Sequence, residues 1–386
     1  MSSSSIGFGQ FALIWGVKKE GYGAGGLSLV LASNALPALL MICGGVAGDR
    51  FRRHQVLAGA DALACAAWVT IGVALSARGT PLPLLCALAA LGGTATALYL
   101  PTLPGAVADL LKPSDRPAGN ALISQTQSIG LLVGLVASGL VVTAIGPAWA
   151  ASTRGVLCGF SAMLLSRLST GRPQRGNAKP LRDLREGWRA FSACPWVWIM
   201  TLQYTAVTTA VVCYIEIAGP LYMLGGHGDA QAWGVIRASE PLGGLLGALI
   251  GARWRPTRTI LTAAALPIAV SLPMLAMGSG ASWQLIAIVA TVPGVSQAVY
   301  YVLWTTVLQN SFPAEVLVRV NSWNMVASYA LMPIAMLVSG PLAAMAGAQD
   351  VVIGAGAVVL AATATTLLTL AAAPRTRVSF RRSLAS

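Results

Sequence analysis

Long apolar segments alternate with short polar connections along almost the whole chain. About twenty apolar residues in a helix cross the hydrocarbon core of a bilayer, where a spanning backbone must satisfy its hydrogen bonds internally. A shorter apolar stretch, Ser4 to Val17, comes first and predicts a span that is cut short, because fourteen helical residues reach only about 21 Å. The pattern then predicts eleven full spans, near residues 25–47, 55–77, 83–107, 119–142, 148–168, 196–218, 232–252, 259–278, 283–308, 320–343 and 350–372.

The composition agrees with this pattern. Of the 386 residues, 56% are hydrophobic and 10% are charged, whereas about 25% are charged in an ordinary soluble domain. The formal charge of +13 would suggest a nucleic-acid partner for a soluble protein. Here the basic residues lie almost entirely between the apolar segments. We therefore expect a membrane protein with no nucleic-acid partner.

The distribution of Lys and Arg predicts how the chain is oriented. When the short first stretch is counted as a span, twenty basic residues fall in connections on one side and three, Lys18, Lys19 and Arg78, on the other. Short cytoplasmic loops carry an excess of Lys and Arg. We therefore expect a multi-pass protein of the cell (inner) membrane with both termini in the cytoplasm.

The longest polar connection divides the predicted spans into six and six. We expect an N-terminal six-helix bundle over residues 1–168, a cytoplasmic linker over 169–195, a C-terminal six-helix bundle over 196–373 and a basic cytoplasmic tail over 374–386.

Within the linker, Leu181, Leu184, Trp188 and Phe191 recur at helical spacing beside three arginines. This spacing predicts an amphipathic helix that lies on the inner membrane surface. A solvated linker helix is the alternative.

The two halves match one another at an offset of 201 residues. Tyr99 falls on Tyr300 and Asn120 falls on Asn321 at this offset, together with several glycines. Two halves that both begin in the cytoplasm are expected of parallel structural repeats. The start of the seventh span maps about five residues before Met1, so the repeat also predicts an incomplete first span.

The loop after the second span has the sequence GGVAGDRFRRHQVL. It resembles the signature loop of the major facilitator superfamily, Gly-x-Leu-x-Asp-Arg-x-Gly-Arg-Arg-x-x-Leu, with matches at Gly45, Asp49, Arg50, Arg53 and Leu57. Three other signature positions hold different residues. The resemblance covers essentially the whole chain. It implies an all-α membrane protein of the major facilitator fold, with two six-helix bundles related by a pseudo-two-fold axis, which acts as a secondary transporter and not as an enzyme.

In that family the acidic residue of the signature loop is a gating residue. Asp49 ends a helix whose C-terminus already carries partial negative charge, so its carboxylate needs a partner. The resemblance supplies one, the N-terminus of the eleventh helix, which here begins near Asn321 and Ser322. We expect Asp49 to hold the halves together on the cytoplasmic side; a solvated charge run that only sets topology is the alternative.

The fifth span contains GLLVGLVASG, which resembles the exchange motif of drug:proton antiporters. It keeps Gly130, Gly134 and Gly139 but has Leu135 where the motif has proline. GNALISQTQSIG and FPAEVLVRVNSW resemble the macrolide and multidrug efflux branch. These resemblances imply export in exchange for protons, although the branch's usual Arg in the fourth span is absent. Close helix packing through small residues is the alternative.

Ionisable residues inside membrane spans are costly and count as candidate functional residues. Asp61, Arg154, Glu216, Arg237 and Glu240 lie within predicted spans. For Glu216, Glu240 and Arg237 we predict proton or cationic-substrate sites; local salt bridges, such as a pair between Arg237 and Glu240, are the alternative. We expect Asp61 to be structural and Arg154 to extend toward the outer surface.

Polar and aromatic residues of the fourth, seventh and tenth spans are candidates for a central cavity. Thr201, Thr205, Thr208 and Glu216 share one helical stripe on the seventh span, a helix that lines the cavity in the family. Such a lining suits a bulky, partly apolar substrate; packing against lipid is the alternative for each residue. The candidates are Tyr99, Gln203, Tyr204, Thr205, Thr208, Gln297, Tyr300, Tyr301 and Trp304.

The sequence argues against other kinds of chemistry. The six cysteines have no metal-binding or disulfide spacing, so no metal is expected. GYGAGG, from Gly21, follows no strand and fails as a dinucleotide motif, and no Walker loop is present, so no cofactor is expected. We expect a monomer in lipid that exports a small organic compound, with protons as a further partner. A facilitator or importer of a polar metabolite and a non-transporting sensor or scaffold are the alternatives.

Overall fold

The computed structural model of the chain describes residues 2–37, 52–77, 79–110, 116–168, 188–189, 191–254, 256–312, 320, 323–324, 326–328 and 331–372. Within these ranges nearly all residues are helical and none is in a strand. A helix satisfies its own backbone hydrogen bonds, which a chain inside hydrocarbon cannot obtain from water.

Six helices form the described part of the N-terminal half. They are α1 (Ser2–Lys19), α2 (Ala24–Ala35), α3 (Arg53–Ala77), α4 (Leu82–Leu110), α5 (Arg116–Ala144) and α6 (Pro147–Ser166). With 18 residues, α1 is longer than the apolar stretch that predicted it and reaches about 27 Å.

Six further helices form the described part of the C-terminal half. They are α7 (Pro195–His227), α8 (Ala230–Arg253), α9 (Thr259–Gly278), α10 (Trp283–Ser311), α11 (Met332–Ala346) and α12 (Ala348–Ala372). A 3-10 turn that contains Pro267 interrupts α9 at Leu266–Val270, because proline has no N–H to continue the α-helical hydrogen bonding.

The helices correspond to the predicted spans one by one. Among the described residues, eight helical segments are long and apolar enough to cross a membrane. The other predicted spans are helical too: α1, α6 and α8 have 18, 20 and 24 residues, and α2 is described over 12 residues. The prediction of an all-α membrane protein is thus confirmed.

Each half has an apolar interior built from helix pairs. In the N-terminal half, α3 packs against α4 and α6, and its Trp68 and Ile71 side chains are fully buried. In the C-terminal half, α8 packs against α10, and α12 packs against α7 and α9. Small residues allow close approach, since a Cβ at Gly155 of α6 would lie 2.9 Å from the backbone nitrogen of Val69 on α3.

Two ionisable residues lie inside the packing of the N-terminal half. Asp61 of α3 is 4% exposed and interacts with Ser161 and Arg154 of α6. The Arg154 guanidinium lies over the Trp68 ring, 4.1 Å from its centroid, and donates to the carbonyl oxygen of Ile6 at 3.4 Å. The prediction that Arg154 extends toward the outer surface is therefore wrong, because an aromatic face and an opposite charge stabilise it within the bundle.

The two halves meet along α5 and α8 and along α2 and α11. Both contacts depend on glycine. A Cβ at Gly139 of α5 would lie 2.7 Å from the carbonyl oxygen of Ala230, and one at Gly340 of α11 would lie 2.5 Å from that of Ala24. These helices therefore approach one another backbone to backbone, as small residues permit in membranes.

Substitution of Gly139 by Ala tests the contact between α5 and α8. We expect G139A to lower the stability by about 1–3 kcal/mol, because the added methyl group overlaps the backbone of α8. The measurement is thermal unfolding of the purified protein in detergent. Gly59→Ala is the matched control, since a Cβ at this helical glycine of α3 meets nothing within 4 Å. Equal melting temperatures for the two variants would show that this close approach is not needed.

Candidate functional site

A cavity of about 1010 Å³ lies between the two halves. Its described walls come from α5 of the N-terminal half, from α7, α8 and α10 of the C-terminal half, and from Asn324 and Ser328 ahead of α11. Pockets that bind small molecules have volumes of roughly 300–1,000 Å³. The cavity is therefore large enough for a drug-sized organic compound.

Parallel aromatic rings form the wall that α7 and α10 contribute. The rings of Tyr204 and Tyr300 stack at a centroid distance of 5.4 Å, and those of Tyr300 and Trp304 at 6.3 Å. Gln297 donates a hydrogen bond from Nε2 to the Tyr204 hydroxyl at 2.8 Å. Tyr300 and Trp304 are each 6% exposed, whereas Tyr301 is 67% exposed. The stack therefore supports the wall, and Tyr301 offers the most exposed ring for a ligand.

The lining carries a charge pair on α8. Arg237 donates from Nη1 to Oε2 of Glu240 at 3.0 Å, so the salt bridge that the sequence suggested between them is present. The arginine side chain is 15% exposed and the glutamate side chain is 38% exposed. The carboxylate is thus the charge that the pair presents to the cavity.

Glu216 is not among the described residues that line the cavity with this pair, although it interacts electrostatically with Arg237. Its side chain is buried, and its Oε1 accepts a hydrogen bond from Nε2 of Gln10 on α1 at 2.9 Å. This bond joins the two halves, and neither residue is among the described residues that line the cavity. The sequence grouped Glu216 with Arg237 and Glu240, but the structure divides them between the half-to-half contact and the cavity wall.

The polar residues that were predicted to share one stripe on α7 contact different neighbours. Thr201 accepts a hydrogen bond from Nδ2 of Asn324 at 2.7 Å, and Thr205 donates to a backbone carbonyl of the same segment at 3.1 Å. Glu216 faces α1 instead. The helix changes from α to π geometry at Cys213–Ala218, and a π-helical turn shifts the register of the residues that follow. A stripe counted with α-helical spacing therefore fails at Glu216.

Four predicted cavity residues lie outside the described lining. Gln203 is 3% exposed and donates from Nε2 to the carbonyl oxygen of Ala264 on α9 at 2.7 Å, so it packs inside the C-terminal half. Thr205 and Thr208 of α7 and Tyr99 of α4 are the other three. For the three residues of α7, the reason is that this helix has protein neighbours on several sides, so its polar groups find partners away from the cavity.

The signature loop is described only at its end. Gly45, Asp49 and Arg50 lie outside the described residues, and Arg53 is the first residue of α3. The gating prediction for Asp49 therefore stays a prediction.

The glycines of the motif in α5 lie along its contacts with other helices. Gly130 is half-buried. A Cβ at Gly7 of α1 would lie 2.9 Å from the carbonyl carbon of Gly134. Gly139 contacts α8, as described above. Close packing, the alternative for this motif, therefore accounts for the contacts at Gly134 and Gly139.

Hydrogen bonds join the halves at one face of the bundle, where residues 20–23 connect α1 to α2. We call it the first-loop face and the opposite one, where α6 ends, the linker face. At the first-loop face Lys18 donates from Nζ to the carbonyl oxygen of Leu224 at 3.1 Å. The backbone N–H of Gln231 donates to Oγ1 of Thr143 at 3.1 Å.

The cavity extends in the opposite direction. From the level of Arg237 it reaches Ala248 of α8 and Leu308 of α10, which lie near the linker-face ends of these helices. The halves are thus joined at the first-loop face and separated by the cavity toward the linker face.

Two residues of this region were not among the sequence predictions. Gln10 could have been noticed, because it is a polar side chain within the apolar opening stretch. Tyr214 gave no signal, since an aromatic residue in a span is ordinary. Tyr214 is 5% exposed, its hydroxyl has no hydrogen-bond partner in the described ranges, and it lines a second cavity of about 30 Å³ beside Arg237 and Glu240. In the described part of the chain, no group of His, Cys, Asp and Glu could hold a metal ion.

Comparison with protein families agrees with this architecture. A family model described as Major Facilitator Superfamily matches residues 2–336. The chain belongs to the major facilitator superfamily. The match extends from the start of α1 into α11, so it covers both halves and the cavity between them. No curated protein matches the chain.

Solved transporter structures resemble this major facilitator protein. A bacterial homologue of the human lysosomal transporter Spinster, inward-facing and occupied, is 16% identical with a TM-score of 0.67 over 96% of this chain and 95% of that chain. The nucleoside transporter NupG, as a mutant, is 11% identical with a TM-score of 0.73 over 95% and 98%. A POT family transporter in complex with 5-aminolevulinic acid is 12% identical with a TM-score of 0.69 over 95% and 93%.

At these identities the likeness shows the fold alone. The family and the fold together make this major facilitator protein a multi-pass membrane protein and a secondary transporter, not an enzyme. A transporter of this kind binds a small-molecule substrate, and the large cavity between the halves can hold one.

Substitution of Gln10 by Leu tests the bond between the halves. The Glu216 carboxylate would lose its donor, at a cost of about 1–3 kcal/mol, and opening at the first-loop face should become easier. The measurement is labelling of a cysteine placed at Leu131 in a cysteine-free background by an impermeant maleimide added from that face; we expect the rate to rise several-fold. Gln349→Leu is the control, because it removes a bond to Gly278 within the C-terminal half. If both variants label at the unsubstituted rate, the bond does not hold the halves together.

Proposed function

We propose that this secondary transporter exports a small organic compound from the cytoplasm by alternating access. The observation that carries the proposal is the cavity of about 1010 Å³ between the halves, with its aromatic wall and its charge pair. Rocking of two bundles about a site near the membrane midplane exposes such a cavity to each side in turn.

The basic residues support loading from the cytoplasm. Connections at the linker face carry twenty Lys and Arg residues and those at the first-loop face carry three. By the positive-inside rule the linker face and both termini then lie in the cytoplasm. In that orientation the cavity extends toward the cytoplasm and the halves are joined on the outside. An exporter binds its substrate from the cytoplasm in this inward-facing state.

The direction of transport is proposed from the resemblance to the macrolide and multidrug efflux branch, whose exchange motif is partly kept at Gly130, Gly134 and Gly139. Protons are the proposed counter-substrate. Glu216 and Glu240 are the candidate groups to bind them, because an ionisable side chain inside the membrane is costly unless it is used. The cavity is formed within one chain, so we propose that the monomer, surrounded by lipid, is the functional unit.

Transport in inside-out membrane vesicles tests the proposal. We expect a panel of macrolides and aromatic drugs to include compounds that accumulate when the vesicle interior is acidified, and an uncoupler to abolish accumulation. Glu240→Gln should reduce uptake about tenfold or more, because it removes the charge presented to the cavity. Glu20→Gln is the matched control, since Glu20 lies in the connection between α1 and α2.

The outcomes separate the possible functions. Uptake that is indifferent to the uncoupler would contradict proton exchange and indicate a facilitator. The absence of flux for every compound, with protein present in the vesicles, would overturn the proposal of export.

Asp49 is proposed as a gating residue that stabilises the contact between the halves at the cytoplasmic side. Asp49→Asn removes its charge, so we expect it to favour the inward-open state and to slow transport. The measurement is cysteine labelling from the cytoplasmic side, with vesicle flux in parallel. Asp350→Asn is the control, because Asp350 lies in the first turn of α12 at the opposite face. Unchanged labelling and flux in D49N would mean that Asp49 only helps to set the topology.

A further inference from the structure

We propose that Arg237 occupies the place of a substrate's positive charge on Glu240, so that the transported compound is an organic cation whose arrival turns Arg237 toward Tyr214. The inference rests on the proposed function and names the substrate class of the same cavity. It assigns Tyr214 as a positioning residue for the pair.

The cavity offers a negative charge to a ligand. Arg237 and Glu240 are the only charged side chains among the described residues of the lining. Glu240 is the more exposed of the two, with 38% of its side chain accessible against 15% for Arg237. A carboxylate at low dielectric needs a cation nearby, and in this structure Arg237 supplies it at 3.0 Å. A positively charged ligand can reach the same carboxylate, whereas an anionic ligand would have to reach the less exposed guanidinium.

Arg237 has a place to which it can move. The small cavity of about 30 Å³ lies against Arg237 and Glu240 on one side and Tyr214 of α7 on another. The Tyr214 hydroxyl is buried and has no hydrogen-bond partner among the described residues, which is unfavourable for a polar group. A guanidinium has five N–H donors in a planar fork, so Arg237 can donate to this hydroxyl after it leaves Glu240.

A second group favours the same movement. Arg237 interacts electrostatically with Glu216, the buried carboxylate that accepts from Gln10. When a ligand's cation neutralises Glu240, the remaining negative charge near Arg237 is that of Glu216. The guanidinium therefore keeps an anionic neighbour in its second position and is not left as an uncompensated buried charge.

The same lining can receive the rest of the ligand. It carries the exposed ring of Tyr301 and the apolar side chains of Leu131 and Leu245. An aromatic face attracts an organic cation, and the leucines accept apolar groups. A hydrated metal ion would instead need several oxygen ligands, which a single carboxylate on such a wall does not provide.

Equilibrium binding of radiolabelled tetraphenylphosphonium to the purified full chain in lipid nanodiscs tests the inference, with empty nanodiscs subtracted. Tetraphenylborate, an anion of the same shape, is the control probe. We expect tetraphenylphosphonium to bind, and radiolabelled tetraphenylborate, measured in a separate incubation because the two ions pair in solution, not to bind above the empty-nanodisc background. Glu240→Gln should weaken binding about tenfold or more, because the ligand's charge loses its partner.

The direction in which an arginine variant changes the affinity for tetraphenylphosphonium decides whether Arg237 competes with the ligand. Arg237→Gln removes the resident competitor, so we expect tetraphenylphosphonium to bind about three- to tenfold more tightly, as when the competent fraction of a site is raised. Weaker binding in R237Q, in protein that elutes as a single folded species, would make Arg237 a ligand of the substrate and overturn the proposal.

The tyrosine variant tests the second position of Arg237. Tyr214→Phe removes only the hydroxyl and keeps the ring that contacts Trp233, so we expect binding to weaken about two- to fivefold, and to be unaffected by the same change in an R237Q background. An equal effect in both backgrounds would show that Tyr214 acts on packing alone.

The test also separates this inference from the proposed function. If nanodisc binding follows the expected pattern but vesicles show no flux, the inference stands and export fails. If the vesicles export compounds while tetraphenylphosphonium fails to bind or binds E240Q unchanged, export stands and the cation site is wrong.

Discussion

A hydrogen-bonding or charged group inside the hydrocarbon of a bilayer finds no water, so its partner must come from the protein. The backbone meets this constraint by forming helices. The side chains meet it through pairs such as that between Arg237 and Glu240 in the cavity wall and the bond from Gln10 to Glu216 between the halves. The position of each helix around the cavity therefore decides which polar side chains meet, even where the surrounding contacts are apolar.

The same constraint shapes the contact between the halves. A transporter that alternates between two states must break and remake this contact, which large interlocking side chains would hinder. In the described structure the halves approach through glycine, at Gly139 and Gly340, and through single hydrogen bonds such as that from Lys18 to Leu224. Neighbouring helices of one half, by contrast, enclose side chains as large as Trp68. Glycine contacts and single hydrogen bonds thus join the halves, and one buried apolar cluster also extends through both of them.

Much of the fold followed from periodicity and composition. Apolar length alone predicted the helices, because the thickness of the bilayer sets a length that any span must reach. The cavity was predicted in part. Tyr204, Gln297, Tyr300, Tyr301 and Trp304 lie in its described lining, and one face of α10 carries most of them. Gln203 differs from its neighbour Tyr204 by one position, about 100° around the helix, and that rotation turns it to α9.

The spacing of residues along the chain did not predict the partner of Glu216. The cost of a charge in the membrane identified it as important, but its partner Gln10 lies 206 residues away on another helix, and no local pattern connects the two. The sequence by itself determined where helices form, which residues are too polar for lipid and which superfamily the chain resembles, because these depend on residues close in the chain. Only the tertiary structure decided which polar groups meet, because the π-helical turn in α7 and the packing of α1, α5 and α8 set the directions in which those side chains point.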